Sequence, residues 1–425
     1  MHILILNQTF YPDSAATAQH MWDFAQFMVA KGHRVTALAS RNVYGTDRRA
    51  FPAREVVDGV EIVRVGGTAY GKKRLLYRLA DFGSFYLSAA IKLFRMPAPD
   101  VLIALTTPPM ISTLGLLRCR LPWRRAKGRP RFIYYMMDVY PEAAVASGFL
   151  NPRGLSNWFL SNLTGMTLAK SDAIITLGRD MTKLLTMHYG AHRLGNRFSI
   201  ISPWADGDHL FPLRRVDNDL LNGYGLADCF NIFYSGNLGV AHDLDTILRA
   251  IELTRDIPKL CWVFTVSGRR VDQLRAAIES NQWQHVRVLH YCDRDVLNQS
   301  LNMASVHLVS ELPAFTGIVV PSKLFGSMAV GRPTIMIGPA DCECSRILVE
   351  HQAGFVIPNG DAEQLVSLLN SLLDDPKTCE RMGNNARQTF LKYYDRSLAC
   401  QRLEQVVCGT AGQAPAASTT AGLNR

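Results

Sequence analysis

The most informative chemical feature of this sequence is a lysine at the start of a short predicted helix. The segment VVPSKLFGSMAVGRPTIMIG, residues 319–338, predicts a loop with a cap at Pro321 and Ser322, a helix from Lys323 and a buried strand beyond it. Backbone N–H groups, the positive end of the helix dipole and an ammonium group would meet there and suit a nucleotide diphosphate. The alternative is a capped helix whose lysine is simply solvated.

A second candidate phosphate site is the glycine turn in IFYSGNLGVAHDLDTILRA, residues 232–250. Its strand would deliver Gly236 and Gly239 into a tight loop before a helix that begins around Asp243. Glycine lets the backbone approach a phosphate or a sugar closely. Many ordinary strand-to-helix turns share this pattern, so the loop alone is weak evidence for a ligand site.

Polar groups also follow the first strand, in FYPDSAATAQH, residues 10–20. This turn would offer Asp13, Ser14 and Thr17, together with a helix N-terminus, to a polar acceptor group. We expect Asp13 and Ser14 to cap that helix and Lys31–Gly32 to end it.

Two carboxylates close a later strand, in FIYYMMDVYPEAAVASG. Asp138 and Glu142 would lie at the carboxyl end of the strand, where catalytic and sugar-binding residues are expected. The alternative is a helix cap and a first-turn acid, which fits Glu142 better than Asp138.

The elements that position these residues alternate between strands and helices. Strand-sized apolar runs include HILILN, HRVTALAS, EIVRV, VLIAL and AIITLG in the first half, and NIFYSG, CWVFTVSG, VHLVS, PTIMIG and GFVIP in the second. Continuous apolar strands separated by helices are typical of parallel sheets covered on both faces. We therefore predict an α/β protein with two doubly wound, Rossmann-like domains that face each other across a cleft.

Four segments are predicted along the chain. The N-terminal Rossmann-like domain takes residues 1–205 and the second Rossmann-like domain takes residues 206–385. A C-terminal helix over 386–408 is expected to pack back on the first domain, and a disordered tail over 409–425 follows.

The composition favours a cytoplasmic protein of two domains. The chain has 425 residues, 48% of them hydrophobic, and nine scattered cysteines, which we interpret as reduced thiols. Its start lacks the features of a secretory signal. The uncharged run from Val101 to Leu117 contains Pro108–Pro109, so we interpret it as a buried strand, a turn and a helix rather than a membrane span.

The formal charge of +10 comes partly from two basic clusters. They comprise Lys72, Lys73, Arg74 and Arg78, and then Arg118, Arg120, Arg124, Arg125, Lys127, Arg129 and Arg131. Anionic phospholipid and a solvated loop are equally good explanations, whereas nucleic acid is disfavoured because the second cluster holds one tryptophan, Trp123. In the helix at 72–94, interfacial burial and core packing compete to explain the apolar side chains of Leu75, Leu76, Leu79, Phe82, Phe85 and Tyr86.

Taken together, these segments resemble glycosyltransferase family 4, the retaining transferases of GT-B architecture. The likeness is to the branch that assembles bacterial surface polysaccharides, including the colanic-acid and N-acetylfucosamine transferase types. It covers residues 1 to about 405. Seven segments occur in the expected order, namely FYPDSAATAQH, MMDVYPEAAVASGFL, SDAIITLGRDM, SPWADGDHLFP, FYSGNLGVAHDLDTIL, PSKLFGSMAVGRP and GFVIPNGDAEQL.

The resemblance implies transfer of a sugar from a UDP- or similar nucleotide donor to a saccharide acceptor. That acceptor is often linked to polyprenyl diphosphate at the inner membrane face, so peripheral association with an anionic membrane surface is expected. Donor contacts would come from Gly236, Asn237, Gly239, Pro321, Ser322 and Lys323. Catalytic roles would fall to Asp138 and Lys323, and the acceptor side to Asp13, Ser14, Thr17 and Glu142.

Two departures from the family pattern bear on the donor site. Many members carry an arginine and a lysine in the glycine loop, where this chain has Asn237 and either His242 or Asp243. The glutamates of the Glu-x7-Glu pattern are replaced by Ile318 and Gly326. We expect Lys323, Arg269 or Arg270 and backbone donors to hold the phosphates, and Glu343 to supply the missing carboxylate.

The mechanism implied centres on the leaving diphosphate, since positive charge develops at the anomeric carbon as it departs. A lysine and a helix N-terminus can stabilise it without a metal, so we expect no cofactor and no metal site. Two alternatives stay open at this point: a nucleotide-sugar epimerase of the same architecture, and a non-catalytic partner protein that has lost the glutamates.

Overall fold

The computed structural model describes residues 1–13, 15–42, 51–67, 75–121, 128–290 and 294–410. Residues 411–425 of the predicted tail and parts of both basic clusters lie outside these ranges. Two sheets organise the described chain, with eight strands in the first half and six in the second. Of the helices described, none combines the length and the apolar character needed to cross a bilayer.

The first sheet has the strand order β3-β4-β2-β1-β5-β6-β7-β8. Its elements are β1 (His2–Leu6), α1 (Ala16–Ala30), β2 (Arg34–Ser40), β3 (Arg54–Val57), β4 (Val60–Val65), α2 (Leu75–Arg95), β5 (Val101–Ala104), α3 (Ile111–Arg120), β6 (Arg131–Tyr135), α4 (Glu142–Ala146), α5 (Leu155–Lys170), β7 (Ala173–Thr176), α6 (Arg179–Tyr189), α7 (Ala191–Leu194) and β8 (Phe198–Ile200).

The second sheet has the order β11-β10-β9-β12-β13-β14. Its elements are α8 (Asp219–Gly223), β9 (Phe230–Asn237), α9 (Leu244–Leu253), β10 (Leu260–Ser267), α10 (Val271–Asn281), β11 (Val286–Leu289), α11 (Leu297–Asn302), β12 (Val306–Ser310), α12 (Lys323–Ala329), β13 (Thr334–Ile337), α13 (Glu343–Glu350), β14 (Gly354–Ile357), α14 (Ala362–Asp374), α15 (Pro376–Tyr393) and α16 (Arg396–Cys408).

The paired strands of both sheets run parallel except β3, which pairs antiparallel with β4. The turn between them places Asp58 and Gly59 at φ 47° and 79°, the left-handed pair that a two-residue hairpin requires. The sequence patterns had not predicted this hairpin. The other apolar strands are buried because helices cover both faces of each sheet, which confirms the predicted α/β class.

In each sheet the chain adds strands first on one side of a central strand and then on the other, so the strand order reverses beside that strand. In the first sheet the chain moves outward from β1 to β2 on one side and to β5 on the other. In the second sheet β9 lies between β10 and β12 in the same way. Ligands of doubly wound sheets bind at the carboxyl ends of the strands at such reversals. Both candidate loops therefore lie where the fold forms a crevice.

The first helix begins later than the sequence predicted. The N-cap position is Ala15, which has no side-chain cap, and Asp13 Oδ1 instead accepts a bond from Ala15 N at 3.0 Å. The predicted cap at Asp13 is therefore wrong, because this carboxylate closes the preceding turn. The predicted C-terminus is confirmed, since Lys31 is the C-cap and Gly32 follows with φ 79°.

The C-terminal helical segment consists of two helices, where one had been predicted. Asp375 caps α15 and Asp395 caps α16, because each side chain accepts a bond from a backbone N–H of the first turn. Helix α15 packs on α12 of the second domain, whereas α16 packs on α1 of the first. The chain therefore passes between the domains at Tyr394–Asp395, beyond the predicted position near residue 386.

The described arginines of the second basic cluster mostly have structural partners. Arg118 is fully buried and donates to the carbonyls of Leu93 and Met96 at the end of α2. Arg129 pairs with Asp172, and Arg131 donates to the carbonyl of Val407 in α16. These three residues hold elements together, so the reading of the whole cluster as a solvated or lipid-binding loop is wrong for them.

Arg118→Met should lower the free energy of unfolding by about 3 kcal/mol, because two buried carbonyls would lose a charged donor. The exposed Arg153 provides a matched control, and Arg153→Met should change stability by less than about 0.5 kcal/mol. Thermal or urea unfolding measures both. Equal losses for the two variants would contradict the structural role of Arg118.

Candidate functional site

Lys323 is the first residue of α12, but its amine lies in the glycine loop that follows β9. Its Nζ is 2.9 Å from the Tyr234 hydroxyl, 3.0 Å from the Asn237 carbonyl and 3.5 Å from His242 Nε2. It also lies 4.2 Å from the centre of the Tyr234 ring. The structure thus brings the two strongest sequence motifs together at the carboxyl end of β9.

The start of α12 itself is less suited to an anion than the sequence indicated. Ser322 occupies the N-cap position in a helical conformation and its side chain makes no capping bond. Pro321 is buried, and its carbonyl accepts from the Cys344 thiol at 3.8 Å. The predicted side-chain cap at Ser322 is therefore wrong, and the positive charge is placed by the long lysine side chain.

The electrostatics around this amine are set by burial. Burial lowers the pKa of Lys323 to about 7. The pKa of His242 falls to about 3, first because the ring is buried and then because Lys323 lies beside it. His242 Nδ1 lies 2.6 Å from the Ser310 carbonyl, which can only accept, so Nδ1 carries the proton and Nε2 faces Lys323 with its lone pair.

The glycine loop has little room for larger residues. Gly236 has φ 103° and lies against the aliphatic end of Lys323, since a Cβ added there would be 3.8 Å from Lys323 Cε. A Cβ at Gly239 would lie 3.0 Å from Asn237 Nδ2, and one at Gly268 would lie 2.3 Å from Asn237 Oδ1. The side chain of Asn237 is thus enclosed by two glycines, while its backbone carbonyl accepts from Lys323.

Arg270 braces the same loop. Its Nη1 donates to the His242 carbonyl at 2.8 Å and its Nη2 pairs with Asp245 Oδ1 at 2.9 Å. The predicted donor ligand Arg269 lies elsewhere, with its guanidinium 5.5 Å from the centre of the Phe149 ring in the first domain. Of the two arginines, Arg270 is therefore the one that contacts the loop.

Asp243 and Asp245 have the spacing of a metal-binding carboxylate pair, but both have other partners. Asp243 caps α9, accepting from Thr246 N at 3.0 Å and from Thr246 Oγ1 at 2.7 Å. Its Oδ2 also accepts from Asn359 Nδ2 at 2.8 Å. Asp245 pairs with Arg270, so these carboxylates stabilise the loop.

The acceptor-side turn is built around the end of β1. Asp13 is buried and accepts from Ala15, and Thr17 Oγ1 lies 3.1 Å from Thr9 Oγ1. Ser14 lies outside the described residues. The side chains of Asp13 and Thr17 therefore organise the turn itself.

The two carboxylates after β6 differ in their surroundings. Burial raises the pKa of Asp138 to about 6, which places its titration near neutral pH. Glu142 Oε1 accepts from the Tyr189 hydroxyl at 2.8 Å and lies 3.2 Å from His188 Nδ1, both on α6. Among the described residues none donates to its Oε2. Glu142 thus joins α4 to α6.

Glu343, which was expected to supply the missing donor carboxylate, connects the two domains. Its carboxylate accepts from Arg179 N at 2.8 Å and from Arg179 Nε at 3.1 Å. In return its backbone N–H donates to Asp180 Oδ2 at 2.9 Å. Each carboxylate thus bonds the start of the helix in the opposite domain, an interdomain pairing that sequence spacing could not reveal.

The sequence analysis also missed Glu311, which directly follows β12. Its side chain is 1% exposed, and among the described residues none donates to its Oε1. Burial and the nearby carboxylate of Asp180 raise its pKa. The sequence does contain a signal for Glu311, because it directly follows the apolar run VHLVS. The same feature, an acid after an apolar run, singled out Asp138.

Comparison with family models divides the chain as the two sheets do. A model described as a glycosyl transferase 4-like domain matches residues 16–194, and a model described as glycosyl transferases group 1 matches residues 227–389.

Two relatives carry related descriptions. The chain is 27% identical over 340 residues to a probable glycosyltransferase, WbjE of Pseudomonas aeruginosa, covering 79% of this chain and 81% of WbjE. It is 22% identical over 362 residues to the putative colanic acid biosynthesis glycosyl transferase WcaI of Escherichia coli, covering 82% and 86%.

Solved structures share the fold over nearly the whole chain. Sucrose-phosphate synthase from Thermosynechococcus elongatus superposes with a TM-score of 0.72 at 13% identity, covering 96% of this chain and 99% of the synthase. HepE from Anabaena, solved with UDP-glucose, gives 0.68 at 15% identity, covering 96% of this chain and 100% of HepE. At these identities the likeness establishes the fold alone.

Glu311→Gln should stabilise the protein at alkaline pH, because glutamine has the same shape and cannot ionise. The native state keeps Glu311 protonated, whereas the unfolded carboxyl ionises above its ordinary pKa of 4.5. The native state therefore loses stability relative to the unfolded state as the pH rises from there. We expect the variant and the wild type to melt alike near pH 4.5, and the variant to gain about 2 kcal/mol at pH 8.

Calorimetric unfolding across this pH range tests the expectation. Glu380→Gln, at an exposed glutamate of the same domain, is the matched control and should show no such pH-dependent gain. A gain for Glu311→Gln that is the same at both pH values would contradict the buried, protonated carboxyl.

Proposed function

The chain belongs to glycosyltransferase family 4 and has the GT-B architecture, and from this premise we propose that it transfers a sugar with retention of anomeric configuration. The donor is a nucleotide-sugar, and the acceptor is a saccharide carried on polyprenyl diphosphate in the synthesis of a bacterial surface polysaccharide. The description of WcaI in colanic acid biosynthesis and the UDP-glucose complex of HepE support this choice of substrates.

One observation carries the donor assignment. The Lys323 amine occupies the loop at the carboxyl end of β9, beside Gly236 and the Asn237 carbonyl. This is the crevice of the second sheet, where a doubly wound fold binds the phosphates of a nucleotide. A positive charge delivered there stabilises a departing diphosphate more strongly than it would in water, because the site is desolvated.

The chemistry follows from that placement. The bond from the anomeric carbon to the diphosphate oxygen breaks, and its electron pair leaves with the diphosphate, which Lys323 neutralises. The acceptor hydroxyl forms the new bond on the same face of the anomeric carbon from which the diphosphate leaves, which retains the configuration, and it gives up its proton. We assign that proton to Asp138, whose pKa of about 6 suits a base near neutral pH. No metal is needed in this scheme, so we propose that transfer is metal-independent.

Lys323→Met should lower kcat/KM for transfer by about 100-fold or more, because the leaving diphosphate would lose its cationic partner. Lys377→Met, at an exposed lysine on α15 of the same domain, is the control and should retain wild-type turnover. The assay follows donor consumption and acceptor glycosylation with UDP-sugars, with and without a chelator.

Three outcomes would overturn parts of this proposal. Normal turnover of Lys323→Met would remove the role of the lysine. Activity that disappears with the chelator and returns with Mg²⁺ or Mn²⁺ would contradict metal independence. A new sugar nucleotide formed without any acceptor would identify an epimerase.

We further propose that one face of the first domain docks on an anionic membrane. Helices α2, α3 and α5 lie side by side on this face. Apolar side chains project from all three, namely Leu87, Ile91, Leu117, Leu155, Trp158, Phe159 and Met166. Acidic residues in these helices are confined to Asp81, whereas basic residues occur on each of them.

This face, which we call the α2-α3-α5 face, differs from the region proposed from sequence. Phe85 is buried in the core, so it does not project toward a membrane as that reading required. The side chains of Leu75, Leu76 and Leu79 lie outside the described residues. Trp158 and Phe159, at 66% and 59% exposed, are the side chains best placed for interfacial burial.

Replacing Trp158 and Phe159 by serine together should weaken binding to vesicles of mixed neutral and anionic phospholipid by about tenfold or more. Val216→Ser, at a residue 75% exposed on the linker between the sheets, is the control and should bind as the wild type does. Co-sedimentation at low and high salt measures the effect. Equal binding of all three proteins, or equal partition onto purely neutral vesicles, would contradict the α2-α3-α5 face as the docking surface.

A further inference from the structure

The partners of Lys323 in the unliganded site are all uncharged acceptors. They are the Tyr234 hydroxyl, the Asn237 carbonyl and the Nε2 atom of His242. Among the described residues, no carboxylate forms an ion pair with this lysine. An ammonium group has three N–H donors, so this set can satisfy each of them without supplying a compensating negative charge.

The three contacts are not equivalent. The bonds to Tyr234 and Asn237 measure 2.9 and 3.0 Å, whereas the separation from His242 Nε2 is 3.5 Å. The contact with His242 is therefore the weakest of the three, and it completes the set of acceptors around the amine.

The orientation of His242 is itself fixed by the fold. Its ring N–H at Nδ1 donates to the Ser310 carbonyl at the end of β12, and its own carbonyl accepts from Arg270. The neutral tautomer therefore presents a lone pair toward Lys323 from one defined direction. Tyr234, on β9, supplies the second direction through its hydroxyl and the face of its ring.

We propose that His242 and Tyr234 are positioning residues that hold the Lys323 amine in the glycine loop, and that donor diphosphate binding loads this amine with a proton. The inference rests on the proposed function, because it takes the ligand of this loop to be the diphosphate of a nucleotide-sugar. In the empty site the amine has no counter-charge. The diphosphate provides one, so the charged form becomes the stable form when the donor binds.

The pH dependence follows from the groups that face the amine. They are Tyr234 from β9, His242 from the glycine loop and Cys344 from α13, and Arg270 acts through its contact with the His242 carbonyl. Burial lowers the pKa of Lys323 to about 7. Above this value the empty site holds a neutral amine, so diphosphate binding must take up a proton and weakens as the pH rises.

Removing either positioning residue should change the pH at which diphosphate binding begins to weaken. Acceptors that bond to the ammonium favour the charged form, so their loss lowers the pKa of Lys323 further. We expect His242→Phe and Tyr234→Phe each to shift the midpoint of the pH–affinity curve for UDP to lower pH. At pH 7.5 each variant should bind UDP about tenfold more weakly, the effect expected when one bond to a charged group is lost.

Isothermal titration calorimetry with UDP between pH 6 and 9 tests the proposal on the full-length protein. Titrations in two buffers of different ionisation enthalpy count the protons taken up. The wild type should take up close to one proton per UDP bound at pH 8 and almost none at pH 6. An unchanged midpoint in both variants, or binding without proton uptake at pH 8, would overturn the proposal. Lys377→Met is the control and should match the wild type throughout.

The design separates this proposal from the proposed function. If Lys323→Met abolishes transfer while His242→Phe and Tyr234→Phe keep the wild-type midpoint, the donor site stands and the positioning roles fail. If Lys323→Met binds UDP and transfers sugar normally, the donor assignment itself fails. Melting temperatures of both variants identify a folding defect, which would weaken binding at every pH without moving the midpoint.

Discussion

A buried amine without a carboxylate partner is the constraint on which the candidate donor site depends. Lys323 comes from α12, whereas the atoms around it come from β9 and the loop after it. Two elements far apart in sequence must therefore keep a fixed spacing for the charge to reach the crevice. The close contact of Gly236 with the lysine stem and the bracing of the loop by Arg270 both preserve that spacing.

The second organising feature is the exchange of carboxylates between the domains. Asp180 and Glu343 each bond a backbone N–H at the start of the other's helix, and Arg179 adds a charged contact. Gly317 reinforces this closeness, since a Cβ there would lie 2.9 Å from the Asp180 carbonyl oxygen. The crevices of the two sheets are thus brought together by polar contacts beside a hydrophobic cluster that contains buried residues of both domains.

Periodicity was sufficient to predict the α/β class, because apolar strands and their glycine turns leave a local signature. The family and the transferase activity were predicted from the resemblance of seven ordered segments to a known family. The partners of individual side chains leave no such signature in the sequence. Arg118 belonged to a basic run, but it is buried and bonds a carbonyl near the end of α2. Glu343 was expected to supply a donor carboxylate, but it bonds Arg179 of the other domain. Such roles depend on contacts between distant segments, as does the insertion of Lys323 into the glycine loop.

The passage of the chain between the domains has a mechanical consequence. Residues 205 and 395 lie side by side, with the backbone N–H of Arg396 donating to the Ala205 carbonyl at 2.9 Å. The segment that leaves the first domain at residue 205 and the segment that returns to it at residue 395 therefore lie next to each other. Beyond the return crossing, α16 packs on α1. Because both crossings of the chain between the domains lie at one edge, we expect any opening of the cleft to rotate the domains about that edge.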